Sequence, residues 1–214
     1  MDRPSLSSTH GMVAADNPTA SRVGAKVLAA GGDAVDAAVA TALALGVVHP
    51  FASGLGGGGF AVVHRADGSC LALDFREVAP AGATADMYLN ERGEVIPEIS
   101  TLGANAVAVP GELAGLAHLH SRYGQLPWRK VVAPALELAR DGFIVSPILH
   151  QKIKDSLKHL RHSPIGAEFL DAKGAIHKPG SIMYRPSLVK TLQLISDEGA
   201  QVLYEGRLGE ALVA

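Results

Sequence analysis

Cysteine is nearly missing from these 214 residues, and Cys70 stands alone. One thiol supplies neither a disulfide framework nor a cysteine-based metal site. Its neighbours Ser69 and Leu71 read as strand, so a buried, inert thiol is expected. A surplus of either charge is missing too. The 19 basic and 21 acidic side chains leave a formal charge of -2, which gives nucleic-acid binding no electrostatic support. Long apolar runs are also lacking. The longest, residues 37–48, is rich in alanine and too short to span a bilayer, so no membrane association is expected. The opening Met1-Asp2-Arg3-Pro4-Ser5 is polar and shows no apolar leader core. The expected location is therefore cytoplasmic, or periplasmic or secreted if a leader has been removed. What remains is 48% hydrophobic and 19% charged, a globular composition able to bury a sizeable core.

Helix signals dominate both ends of the chain. Met12 to Ala15 is a short apolar run with the look of a buried strand. Asp16 or Asn17 can cap a helix that Pro18 opens and Gly31-Gly32 interrupts. Asp33 restarts it, with Asp36 three residues on as a capping-box partner, and Val35, Ala38, Val39, Ala42 and Leu43 as an apolar stripe. Further helices open at Pro110-Gly111, Pro127, Ser146-Pro147 and Pro186, and the first, second and fourth close at Gly124, Gly142 and Gly199. Between these helical ends, residues 60–64 and 70–75 read as two strands joined by a turn containing Asp67-Gly68. In the second strand Leu71, Leu73 and Phe75 share one face, and Ala72, Asp74 and Arg76 the other. The chain is expected to form a single partial domain over residues 1–214. Its last residues, 208–214, look like the start of an amphipathic helix, so a longer parent protein is expected.

Several segments, in order, resemble the γ-glutamyltransferase family. They begin with Gly11-Met12-Val13-Ala14-Ala15 and Gly31-Gly32-Asp33-Ala34-Val35-Asp36-Ala37-Ala38-Val39-Ala40. They continue through Ser53-Gly54-Leu55-Gly56-Gly57-Gly58-Gly59-Phe60 and Asp74-Phe75-Arg76-Glu77-Val78-Ala79-Pro80. Val109-Pro110-Gly111-Glu112, Tyr123-Gly124-Gln125-Leu126-Pro127-Trp128 and Tyr204-Glu205-Gly206 extend the likeness over nearly the whole chain. The resemblance implies an α/β (α+β) fold of the N-terminal-nucleophile hydrolase type, an αββα sandwich that is incomplete here. It also implies a proenzyme that cuts itself into a large and a small subunit. The threonine exposed by that cut attacks a γ-glutamyl amide such as glutathione, with its own α-amine as base. The acyl-enzyme then passes to water or to an amino acid or peptide.

By the same resemblance, Arg76 grips the α-carboxylate of the glutamyl group, and Glu77 orients Arg76 or contacts the substrate amine. A guanidinium suits the first task because it offers two parallel donors to a carboxylate. A surface arginine paired with Asp74 or Glu77 is the plain alternative. No catalytic residue is expected within the chain. Thr9-His10 echoes the catalytic Thr-His of the family but lies before the Gly11-Met12-Val13 opening, so it reads as coincidence. The expected partners are a small γ-glutamyl substrate, the remainder of the large subunit and the small subunit. The 214 residues alone are expected to be inactive and poorly soluble, with apolar faces and sheet edges uncovered. Two other readings stay open: a non-catalytic remnant or partner-dependent subunit, and a related acylase of other amides.

Neither a cofactor nor a metal is expected. The glycine run at 54–59 lacks the Gly-Lys-Ser/Thr ending of a phosphate loop, and a helix precedes it where a strand should. Ser53 has no glycine two residues earlier, which excludes a hydrolase nucleophile elbow. His118 and His120 face different sides of a helix, while His159 and His162 belong to a basic helix end.

Overall fold

The computed structural model describes residues 7–213. In chain order the elements are α1 (Pro18–Ala29), α2 (Ala34–Val48), β1 (Phe60–His64), β2 (Cys70–Asp74), α3 (Glu112–Tyr123) and α4 (Trp128–Asp141). Next come β3 (Phe143–Ile144), α5 (Pro147–Asp155), α6 (Leu157–Arg161), α7 (Gly166–Phe169), β4 (Ile182–Met183), α8 (Pro186–Glu198), α9 (Gln201–Tyr204) and α10 (Arg207–Val213). They divide into two compact units, one made of the chain up to Gly54 and from Leu116 onward, the other of residues 55–115.

The first unit is helical, and its helix ends follow the sequence signals. Asn17 caps α1 by accepting from the Thr19 N–H at 2.8 Å, and Pro18 fills the first turn, where no N–H is needed. Asp33 and Asp36 form the expected reciprocal capping box on α2. The side chain of Asp33 accepts from the N–H groups of Val35 and Asp36, and Asp36 accepts from the N–H of Asp33 at 3.0 Å. The expected stripe on α2 holds at Val35, Val39 and Leu43 but not at Ala38, which is exposed, or Ala42, which is half-buried, while Ala37, Ala40, Ala44, Val47 and Val48 are buried on other sides. Helix α1 packs on α2, α4 packs on α2, and α8 packs on α4. With two helical neighbours, α2 has little surface left for water. Alanine on several sides lets those neighbours approach, as does Gly24 of α1, where a Cβ would collide with the Thr41 hydroxyl. Each fully buried valine or leucine here contributes about 1.5–3 kcal/mol relative to exposure.

Three features of this unit depart from the sequence expectation. Met12 to Ala15 forms no strand, and Met12 is exposed, because no partner strand reaches this segment among the described residues. The helix expected from Ser146 onward breaks at Ser156, whose N–H closes α5 on the Lys152 carbonyl at 3.1 Å before α6 begins. Serine favours such caps over helix interiors. The antiparallel pair β3–β4 joins Phe143 to Met183 and Ile144 to Ile182, too short a pairing to leave a periodic signal.

The second unit is built on the hairpin β1–β2, in the register Phe60↔Asp74 through His64↔Cys70. At its turn, Asp67 accepts from the N–H and hydroxyl of Ser69, and Gly68 takes the positive φ that the turn requires. Ala61, Val63, Leu71 and Leu73 lie half-buried on one face. Cys70 faces the other way with Phe60 and Val62, so it is exposed, not buried as its apolar neighbours suggested. Residues 80–108 form a loop stitched by the Leu89↔Val95 bridge and by the Tyr88 hydroxyl donating to the Asn105 carbonyl at 3.1 Å.

Candidate functional site

Arg76 sits just past the end of β2, and both ends of its segment are pinned. On one side Phe75 and Gly59 exchange two backbone hydrogen bonds of 2.9 and 3.2 Å, extending the hairpin by one pair. On the other, Val78 and Val109 exchange two more, of 2.9 and 3.3 Å, in an isolated bridge. Arg76 and Glu77 therefore occupy a short span of backbone fixed before and after. The Asp74 carboxylate tightens it further by accepting from the Arg76 N–H at 3.0 Å. The glycine run serves the same region. The Gly57 carbonyl accepts from both Gly111 and Glu112 N–H groups at 2.9 Å, which ties the loop to the start of α3.

The side chains of the span meet each other. Arg76 Nε lies 3.3 Å from Glu77 Oε2, with side-chain exposures of 60% and 26%. The guanidinium carbon stands 5.9 Å from the centre of the Phe60 ring, within cation–π range. The pairing settles on Glu77, since Asp74 is occupied by the backbone. Glu77 Oε2 is buried and makes no hydrogen bond among the described residues. It lies against Arg76 Nε, and its acceptor capacity is not filled by a hydrogen bond from the described residues. The exposed guanidinium likewise keeps donors for an incoming anion. An Arg76–Glu77 contact is also what the plain alternative, a surface arginine paired with a neighbouring carboxylate, expects.

Elsewhere, charge is spent internally. Asp36 is fully buried, and beyond its capping role it accepts from the N–H groups of Gln125 and Leu126 at 3.1 Å. His120 Nε2 lies 3.4 Å from Asp36 Oδ1 and 2.9 Å from the Leu126 carbonyl. Sequence reasoning found the cap but not this second use, because the partners lie 89 and 90 residues away. A second missed group is the buried pair Arg185–Glu168, Nε to Oε2 3.2 Å. Glu168 also accepts from the Ser187 N–H at 3.0 Å, and the guanidinium stacks on Phe169 at 4.6 Å. Burial pulls the Arg185 pKa below its ordinary value, against the opposing pull of Glu168. Thr9 and His10 touch at 3.0 Å and are exposed. Among the described residues, no three His, Cys, Asp or Glu side chains converge in a way that could hold a metal ion. No helix among them is long and apolar enough to cross a membrane.

These elements recur in known structures. The chain superposes on the crystal structure of Helicobacter pylori γ-glutamyltranspeptidase with a TM-score of 0.94 and 37% identity, covering 98% of this chain and 60% of that one. Its fold is thereby part of the N-terminal-nucleophile hydrolase architecture, mixed helix and strand. Sequence comparison narrows the class. The family model for gamma-glutamyltranspeptidase matches residues 20–214. Glutathione hydrolase 3 of Arabidopsis thaliana is 43% identical over 209 residues, 97% of this chain and 32% of the relative. The acylase ACY 1 proenzyme of a Pseudomonas strain is 40% identical over 210 residues, 95% of this chain and 38% of the relative. The chain belongs to the γ-glutamyltranspeptidase family. It spans about a third of the length of these curated relatives.

Proposed function

We propose that the chain supplies the glutamyl-recognition part of an enzyme that hydrolyses or transfers γ-glutamyl groups from glutathione-like amides. The supporting observation is the Arg76–Glu77 pair. A cation with unused donors stands beside a carboxylate with an unused acceptor, on backbone pinned at Phe75 and at Val78. An α-amino acid presents the complementary pair, a carboxylate for the guanidinium and an ammonium for the part-exposed Glu77 carboxylate. Bidentate arginine–carboxylate contact fixes orientation as well as charge, so the γ-amide of a bound donor would point in one direction. The attacking hydroxyl in this reading is a threonine outside the chain, delivered by the remaining two-thirds of the family's length, including the small subunit. The protein is placed in the cytoplasm in the same reading, and fractionation of cells producing it tests that placement.

A related amide acylase is the second reading, favoured by the 40% identity to the acylase proenzyme. The two differ in what the donor must carry. If the glutamyl reading holds, the full-length protein turns over γ-glutamyl anilide at least tenfold better in kcat/KM than the anilide lacking the α-amine, as expected when a charge-assisted hydrogen bond is lost. Equal or inverted preference supports the acylase.

A further inference from the structure

Three glycines crowd the segment that carries Arg76, and none of them has positive φ, so they meet a need for space, not for an unusual backbone. At Gly111, just before α3, a Cβ would overlap the Phe75 carbonyl. At Gly115, one turn into α3, it would overlap Cβ and Cγ of Phe75. At Gly58 it would strike the Phe75 carbonyl oxygen, the Glu77 nitrogen at 2.7 Å and the Arg76 carbonyl carbon at 2.9 Å. Gly59 completes the enclosure, since its Cβ would stand 3.1 Å from Cε2 of the same ring. The N-terminal turn of α3 and the glycine loop thus close on one phenylalanine and on the backbone leading out of it. The tie from Gly57 to Gly111 and Glu112 holds the two walls together.

We infer that Phe75, gripped by Gly58, Gly111 and Gly115, is a positioning residue that sets where the Arg76 guanidinium meets the substrate carboxylate. The inference rests on the glutamyl-recognition reading of Arg76. The Arg76 side chain is itself 60% exposed, and its tip is held by Glu77, on the same short span, and by the Phe60 ring of the paired strand. Arg76 and its partner Glu77 both hang from the backbone that leads out of Phe75, so their joint aim depends on that backbone, which is fixed by the fit around Phe75. A methyl group at position 115 cannot be met by rotating the end of a flexible chain, because it strikes the ring at its attachment. The ring root must move, and Arg76 moves with it. Displacements of about 1 Å at positioning groups cost up to about a hundredfold in rate or affinity.

The test compares Gly115→Ala, Phe75→Leu and Arg76→Ala in the full-length protein. The donors are γ-glutamyl anilide and its counterpart with the α-carboxylate converted to carboxamide. Gly115→Ala is expected to raise KM for the first donor roughly tenfold or more with kcat within about twofold, and to leave KM for the carboxamide donor unchanged. Phe75→Leu adds no atom to the crowded turn and is expected to give the same split with a smaller factor. Adding Gly115→Ala to Arg76→Ala should change nothing further, since the group being aimed is gone. Loss of turnover equal for both donors in Gly115→Ala and Phe75→Leu overturns the inference, as a purely structural role would produce it. So does an unchanged KM in both variants beside a raised KM in Arg76→Ala, an outcome that leaves the carboxylate site standing. An unchanged KM in Arg76→Ala itself overturns the carboxylate site, and the positioning role falls with it.

Discussion

Arg185–Glu168 and Arg76–Glu77 are two ion pairs of nearly equal length, 3.2 and 3.3 Å, in opposite surroundings. The first is buried, with side-chain exposures of 9% and 10%, and its groups find further partners from within: Glu168 in the Ser187 N–H, the guanidinium in the Phe169 face and the Val47 carbonyl. The second is 60% and 26% exposed, and Glu77 Oε2 is left without a hydrogen bond. Distance alone does not separate a structural pair from the recognition pair we propose. What separates them is whether the remaining donors and acceptors are already used. A buried pair with further internal partners holds α7 to the start of α8, while a part-exposed pair just past the end of a strand has capacity that its own contacts leave unfilled.

The sharpest way to break this contrast is to remove one partner from the buried pair. Arg185→Ala leaves the Glu168 carboxylate without its counter-charge in a dry setting, at an expected cost of about 3–5 kcal/mol in denaturant unfolding. A loss below about 1 kcal/mol would mean the buried pair does not hold α7 to the start of α8. Asp36→Ala comes next. It removes the acceptor for the N–H groups of Asp33, Gln125 and Leu126. Orphaned buried donors cost about 1–3 kcal/mol each, so a loss of about 3 kcal/mol is expected once partial access of water is allowed for. Glu77→Gln sits at the small end. It should leave stability within about 0.5 kcal/mol of the parent while raising KM for γ-glutamyl donors a few-fold, as loss of one charge in a retained hydrogen-bonding shape implies.

How far the sequence disclosed these sites follows from the range of each interaction. Local chemistry was readable: Asn17, Asp33 with Asp36, and Ser146 cap the helices they precede, and Asp67-Gly68 turns the hairpin. Alternation placed Arg76 on the face of Ala72 and Asp74, and the resemblance gave it a role. The Arg76–Glu77 pairing was among the alternatives because the two residues are adjacent. Long-range partners left no local trace. The Asp36 contacts with Gln125 and Leu126 bridge 89 and 90 residues, and Arg185 meets Glu168 across 17. Burial at Cys70 was misjudged because alternation says which residues share a face, not which face is covered. The break at Ser156 was missed because the leucines at 157 and 160 continue the apolar period of Leu149 and Ile153 past the point where the backbone stops.

The most direct test of the recognition site is steady-state kinetics of Arg76→Ala in the full-length protein, with γ-glutamyl anilide as donor and a melting curve alongside. A KM raised roughly 10- to 100-fold, the loss expected for a charge-assisted hydrogen bond of about 1.5–3 kcal/mol, with an unchanged melting temperature, is the predicted result. A KM equal to that of the parent protein would contradict it.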